Sequence, residues 1–294
     1  MLLINKTLYH LKKLVNILSK NKETYSDAKK TYYEIKSNRV LYHSVYRKAE
    51  SYGTPHFCTD IEKGADKDSF KELSKEYGMD ATHVYFKIEI VQHRDNATFK
   101  VLNEYITADK HGVYQQNNLI PNSDGLSFKL LGAGYAIDNN NIYYIPTNFY
   151  NILKEADKKT FEIINSGFLS YAKDKKQVYC NEHTIEAADP SSFIVLDNLN
   201  GYSKDNKHIF HFHVKMKDAN INSFKILKYD LSKDDTFIFY RGKIVKEADY
   251  TSFKMIEDNS MYDAEDKNHY YRSNGGAHDD GILGIWSKVE NTWL

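Results

Sequence analysis

The 294-residue chain has two cysteines, four prolines, two tryptophans and no net charge, its forty Lys and Arg balancing forty Asp and Glu. Each scarcity excludes something. Cys58 and Cys180 are too few for a disulfide framework, and neither sits in a CxxC pair, so a reducing compartment is expected. Zero net charge removes the electrostatic argument for nucleic acid or an anionic membrane surface as a partner. The first twenty residues are apolar but interrupted by Lys6, His10, Lys12 and Lys13, with no small-residue cleavage site, which argues against a signal peptide. No apolar run reaches transmembrane length. The expected setting is cytoplasmic. There is no GxSxG, Walker loop, dinucleotide fingerprint or HExxH, and no spacing that marks a triad. The expectation is therefore a protein that is not an enzyme and takes no cofactor.

Aromatics are abundant, with 24 Tyr and 15 Phe. An internal repeat organises them. Phe70, Phe99, Phe128, Phe161, Phe193, Phe224 and Phe253 follow one another at spacings of 29, 29, 33, 32, 31 and 29. Ser or Thr precedes each of them. Four residues before each Phe stands Asp66, Asp95, Asp124, Asp157, Asp189, Asn220 or Asp249, and three residues after it stands Leu or Ile. A second set of columns lies between these anchors. Val84, Val113, Ile142, Val178, Ile209 and Ile238 are each followed by Tyr or Phe, and each is preceded at four residues by Asp80, Asp109, Asp138, Asp174, Asp205 or Asp234. Asp266 before Tyr270 and Tyr271 extends the series. Seven residues after the aliphatic position comes another, as at Ile120, Ile185 and Val245. Leu153 follows Ile142 by eleven instead, so a four-residue insertion is expected within Ile145 to Asn151.

Each column has a physical reading. Asp between two apolar runs marks a turn, because its short carboxylate accepts a hydrogen bond from the backbone two residues on. The Val-Tyr pairs that follow are β-branched and aromatic and read as strands, apolar on both faces. Ala-Asp-x-x-Ser-Phe, clearest at Ala188 to Phe193 and Ala248 to Phe253, reads as a capped turn, with Pro190 where its missing N–H costs nothing. The predicted fold is mainly β. Tandem β-hairpin repeats of about 30 residues, two strands and two turns each, would stack into an elongated or curved meander or solenoid. The repeats look too short for a four-stranded propeller blade of roughly 40–45 residues. Ile4, Leu8, Leu11, Val15 and Leu18, then Tyr25, Ala28, Tyr32 and Ile35 after Thr24, fall at helical spacing. This predicts a helical N-terminal cap over 1–38, repeats over 39–272 in about seven units, and a C-terminal cap over 273–294 that holds Gly275, Gly276, Trp286 and Trp293.

Three patterns suggest chemistry, and each has a plainer reading. His208, His211 and His213 form HxxHxH. On a strand His211 and His213 would share a face, where two imidazoles meet a metal, as a metal-dependent enzyme would need. The repeat explains His211 more simply, as a substitution in a column that elsewhere holds Phe86, Gln115, Tyr144, Cys180 and Tyr240, and no metal is expected. The turn aspartates supply one carboxylate per turn, too few for calcium. The Tyr column would make a carbohydrate or cell-wall binding ladder if its rings were exposed, and a structural ladder if they were buried.

Asp266-Lys267-Asn268-His269-Tyr270-Tyr271, Asp174-Lys175-Lys176-Gln177-Val178-Tyr179 and the Ala-Asp-x-x-Ser-Phe segments resemble the repeats of the bacterial DKNYY family, over about Tyr77 to Arg272. The resemblance brings no catalytic residues to this chain. It implies a candidate for an immunity or antitoxin role in bacterial competition. The expectation is a repeat scaffold that binds a protein partner, a toxin that it neutralises. The best site for contact is where the chain departs from the repeat, at Asn148, Phe149 and Tyr150 in the insertion, with the terminal caps as further candidates.

Overall fold

The Val-Tyr column forms strands, as its residue types require, but each repeat holds four strands rather than two. In a computed structural model, which describes residues 32–36, 38–46, 56–61, 64–257, 261–273 and 283–294, one repeat runs Glu162–Asn165, Tyr171–Lys173, Val178–Cys180 and His183–Thr184. We label these positions a to d. They pair antiparallel in chain order, and the preceding and following repeats do the same. Four strands fit into about 30 residues because each is only two to four residues long, as in Ile194–Asp197, Tyr202–Lys204, Ile209–His211 and Val214–Lys215. Only longer strands would need the roughly 40–45 residues of a usual four-stranded blade. Among the described residues every regular element is a strand, and no helix is long and apolar enough to cross a membrane.

The N-terminal end also differs from expectation. Tyr32–Lys36 is a strand, not part of a helix; it pairs with Arg39–Tyr46, which pairs with His56–Ile61. Burial explains the change. Tyr33 is buried against Tyr42, ring centroids 4.9 Å apart, while Glu34 and Ile35 lie nearer solvent. The remainder of the predicted helical cap, residues 1–31, lies outside the described residues, as do Gly275 and Gly276. The C-terminal tail is part of the last sheet. Gly284–Ser287 pairs with His269–Arg272, and Thr292–Trp293 adds a fifth strand. Contacts divide the chain into two compact units, 1–128 with 138–140, and 129–137 with 141–294.

Within the second unit, consecutive sheets share their cores. Both faces of strand c are buried, as the alternating columns predict: Val178, Tyr179, Ile209, Phe210, Ile238 and Phe239 are all 0–1% exposed. The repeat Phe lies between sheets. Phe193 touches Tyr171 of the sheet before it at 5.9 Å and Phe210 of its own sheet at 6.1 Å. Phe161 sits likewise between Tyr135 and Tyr179, and Phe224 between Tyr202 and Phe239. In the first unit Phe70 sits between Tyr33 and Tyr85.

Strand b carries a column that Phe-based alignment hides. Counted back from the turn Asp, it holds Gly78, Thr107, Ala136, Ala172, Ser203, Ser232 and Ala264. These small residues pair across the sheet with the large aromatic of strand c, for example Ala172 with Tyr179 and Ser203 with Phe210. The reason is space. A Cβ on Gly78 would lie 2.3 Å from Phe70 Cζ.

Candidate functional site

The meander gives each sheet two ends, and they differ in chemistry. At one end lie the b–c turn, which begins with the buried Asp, and the Ala-Asp-x-x-Ser-Phe turn. Asp174 shows the pattern. Its Oδ1 accepts from the N–H groups of Lys176 and Gln177 at 2.7 and 2.9 Å. Its Oδ2 accepts from the Tyr179 hydroxyl and from the Asp157 N–H, both at 2.8 Å. Burial works against the Asp174 charge, but these four donors outweigh it and hold its pKa below the usual carboxylate value. Across all seven repeats the first Asp or Asn N–H donates to the second Asp at 2.7–3.0 Å. A reciprocal bond runs back. The residue after the second Asp donates its N–H to the Ser or Thr hydroxyl at 2.9–3.2 Å.

The pair of bonds is a clasp, and it accounts for the Asp, Ser and Thr columns together. Lys175 closes it from outside, 2.8 Å from Asp157, whose pKa falls to about 2 through hydrogen bonds from Lys175 and Thr160. Where the first residue is Asn220, the residue after the second Asp is Asp235 where Lys110, Lys175 and Lys267 stand in three other repeats, and Asn220 Nδ2 donates to it at 3.0 Å. The partners have exchanged roles and kept the contact.

The opposite end, the rim, holds the a–b and c–d turns. In the four sheets from Lys129 to Ile244 these are residues 133–134, 145–150, 166–170, 181–182, 198–201, 212–213, 227–230 and 241–242. Their charged residues are Glu182, Lys228, Asp230 and Arg241, and the last two pair with each other at 2.8 Å. A single clasp-end turn carries more, with Lys154, Glu155, Asp157, Lys158 and Lys159 in sequence. The rim instead exposes one large apolar side chain per sheet over four consecutive sheets. These are Phe149 at 45%, Phe168 at 72%, Leu199 at 68% and Tyr229 at 51%. Asn, Ser and Gly surround them. Aromatics with few charges are the composition of protein-binding surfaces.

The rim also stores backbone strain. Phe212, Arg241 and Tyr229 hold φ of 55°, 49° and 60°, a left-handed conformation that favours Gly or Asn. The a–b turns at 166–170 and 198–201 are tied together: Asn198 accepts from the Leu169 N–H at 3.1 Å and donates to the Leu169 carbonyl at 2.7 Å. The Tyr202 hydroxyl, at the start of strand b, donates to the Asp230 carbonyl in the next sheet's a–b turn at 3.1 Å.

The residues singled out from sequence fall as follows. The insertion is a six-residue c–d turn, residues 145–150, where the next repeat has two residues, Asn181 and Glu182. The Leu153 N–H bonds the Ile142 carbonyl at 2.8 Å, as Ile185 does with Val178, which fixes Leu153 as the shifted counterpart. Asn148 and Phe149 are exposed and Tyr150 is half-buried. Phe168, Leu199 and Tyr229 were not singled out. The Tyr column is buried, with Tyr85, Tyr143, Tyr179 and Tyr271 at 0–1%, so these rings form the structural ladder and not an exposed binding face.

His211 and His213 do not share a face. Strand c ends at His211, whose ring packs on Tyr202 at 4.9 Å, and His213 lies in the following turn, stacked on His183 at 4.2 Å. Among the described residues no three His, Cys, Asp or Glu side chains converge as a metal site.

Residues 135–275 match the DKNYY family. The match begins in strand b of the sheet that bears Phe149 and runs through the next three sheets into the last, so the DKNYY segment includes all four exposed rim residues. The Asp-Lys turns and Ser-Phe columns that carried the resemblance are the clasp and the inter-sheet Phe. No curated protein and no solved structure matches the chain.

Proposed function

We propose that the chain is a non-catalytic repeat scaffold that binds a protein partner through the rim. One observation carries this reading. Over the four sheets from Lys129 to Ile244, charge is concentrated at the clasp end and sparse on the rim, where each sheet exposes one apolar side chain. The clasp carboxylates and hydroxyls bond to each other and leave little for substrate chemistry, whereas the rim turns vary in length and sequence on a repeated frame, as recognition loops do. The finer reading is an immunity protein that holds a bacterial toxin neutralised in the cytoplasm. It rests on the likeness to the DKNYY family.

The test is co-purification from the native host with tagged full-length chain, together with expression of the neighbouring gene's product in cells with and without it. A partner retained by the wild type and lost in Phe168→Asp or Leu199→Asp, with rescue of growth, is the expected result. A lone chain with no rescue overturns the reading.

A further inference from the structure

The last sheet presents a face unlike those of the sheets before it. Its strands are Lys254–Met255, Ala264–Glu265, His269–Arg272, Gly284–Ser287 and Thr292–Trp293, paired in that order. Successive residues of a strand face opposite ways. Met255, Ala264, Tyr271 and Ile285 point inward, into the core cluster that holds Leu231, Ile238 and Phe253. Tyr270 and Trp286 therefore point outward. They are cross-strand partners, and Trp286 is in turn paired with Trp293. Both tryptophans of the chain thus stand on one face. The rings there are continuous. Tyr262 stacks on Tyr270 at 4.6 Å with the planes 16° apart, Trp293 lies 6.2 Å from Tyr262, and Trp286 and Trp293 meet edge to face at 5.3 Å. Trp293 is 46% exposed, and Met261, next to Tyr262 in sequence, 58%.

The repeat says what such a face is built to meet. In the three preceding sheets the column of Tyr270 holds Val178, Ile209 and Ile238, and each is covered by the face of the following sheet. Tyr270 is only half-buried, and among the described residues no further sheet follows. The end of a repeat array ordinarily turns a polar face outward, whereas this one carries Trp and Tyr, the residues that dominate binding energy at protein interfaces. The charges on the face are bound to one another. Glu265 holds Lys254 at 3.1 Å and Lys288 at 2.6 Å, and Lys288 also lies 4.0 Å above the Tyr270 ring. An identical face therefore meets aromatic rings and paired charges, and it continues the sheet-on-sheet packing of the array. A two-fold axis closes such a contact after two copies.

We propose that two copies of the chain join through the outward faces of their last sheets, with Tyr262, Tyr270, Trp286 and Trp293 of each at the centre. The contact is separate from the rim, so it stands or falls independently of partner binding.

The experiment is sedimentation velocity of the full-length chain from about 0.1 to 100 µM, a range that spans ordinary dimer affinities. The expected result is a monomer–dimer transition that Trp293→Asp moves to higher concentration by about tenfold or more, with an unchanged thermal melt. A second measurement places the photo-crosslinking amino acid p-benzoylphenylalanine at Trp293 and mixes isotope-labelled with unlabelled chains. Crosslinks between the two kinds of chain, within residues 261–294, are expected. A monomer throughout the range, crosslinks confined to single chains, a dimer untouched by Trp293→Asp, or open-ended assemblies that grow with concentration would each overturn the proposal.

Discussion

Asp174 accepts four hydrogen bonds with two oxygens, so exchanging one oxygen for an amide is a sharp test of the clasp. In Asp174→Asn the remaining oxygen keeps the N–H groups of Lys176 and Gln177, while the new NH₂ faces two donors, the Asp157 N–H and the Tyr179 hydroxyl. Urea unfolding at neutral pH should show a loss of about 2–4 kcal/mol. The folded pKa of Asp174 is depressed, so its contribution is complete above the unfolded value of about 3.9 and disappears as pH falls through the folded value. The variant should therefore differ least from wild type in acid. His211 titrates in a different window. Burial pushes its pKa down to about 4, so the unfolded chain takes up its proton first, and stability falls as pH drops from about 6.5 toward 4. The loss attributable to this residue is about 3 kcal/mol. His211→Tyr, which restores the residue found at Tyr144 and Tyr240, should flatten that part of the stability–pH curve; an unchanged curve would show that His211 is not the titrating group. The Asp and Ser columns were readable because the clasp needs the same donors and acceptors in every repeat. Their pairing was not, since partners lie 12–17 residues apart.

At the scale of the element, strand c and the start of strand a are visible in the sequence, and strands b and d are not. A strand such as His183–Thr184 has two residues, too few for alternation to register. Strand b stays hidden for another reason. The a–b turn before it changes length, so its columns slip relative to Phe and align only when counted from Asp. The same slippage conceals the rim. Phe149 was legible because its insertion breaks the period, whereas Phe168, Leu199 and Tyr229 look scattered until the strand boundaries bring their turns to one end. Tyr229 then makes the clearest turn-level test. Its φ of 60° is strained for Tyr and easy for Asn, and its side chain is half exposed. Tyr229→Asn should raise stability by about 1 kcal/mol in urea unfolding and weaken partner capture. A stabilised variant that binds as wild type does would remove Tyr229 from the interface.

Across the second compact unit, each core cluster is built by neighbouring sheets. Leu169, Tyr171, Val178 and Phe193 close around Phe210 of the next sheet, and Leu231, Ile238 and Phe253 close around Tyr271 in the same way. No sheet has a complete core by itself. Stability should then follow nearest-neighbour rules, in which coupling is strong within one junction and fades beyond it. Phe193→Ala should cost about 3–5 kcal/mol, and Phe253→Ala, equally buried at a separate junction, a similar amount. Phe193 and Phe210 touch at 6.1 Å, so their double alanine variant should depart from the sum of the singles by about 1 kcal/mol, because removing the first ring already exposes the second. The Phe193 and Phe253 pair should add to within about 0.5 kcal/mol. Denaturant unfolding of the two cycles distinguishes a linear stack from a single shared core. Equal coupling in both would mean that the junctions respond as one body, and the rim would then report a partner over its whole length instead of one sheet at a time.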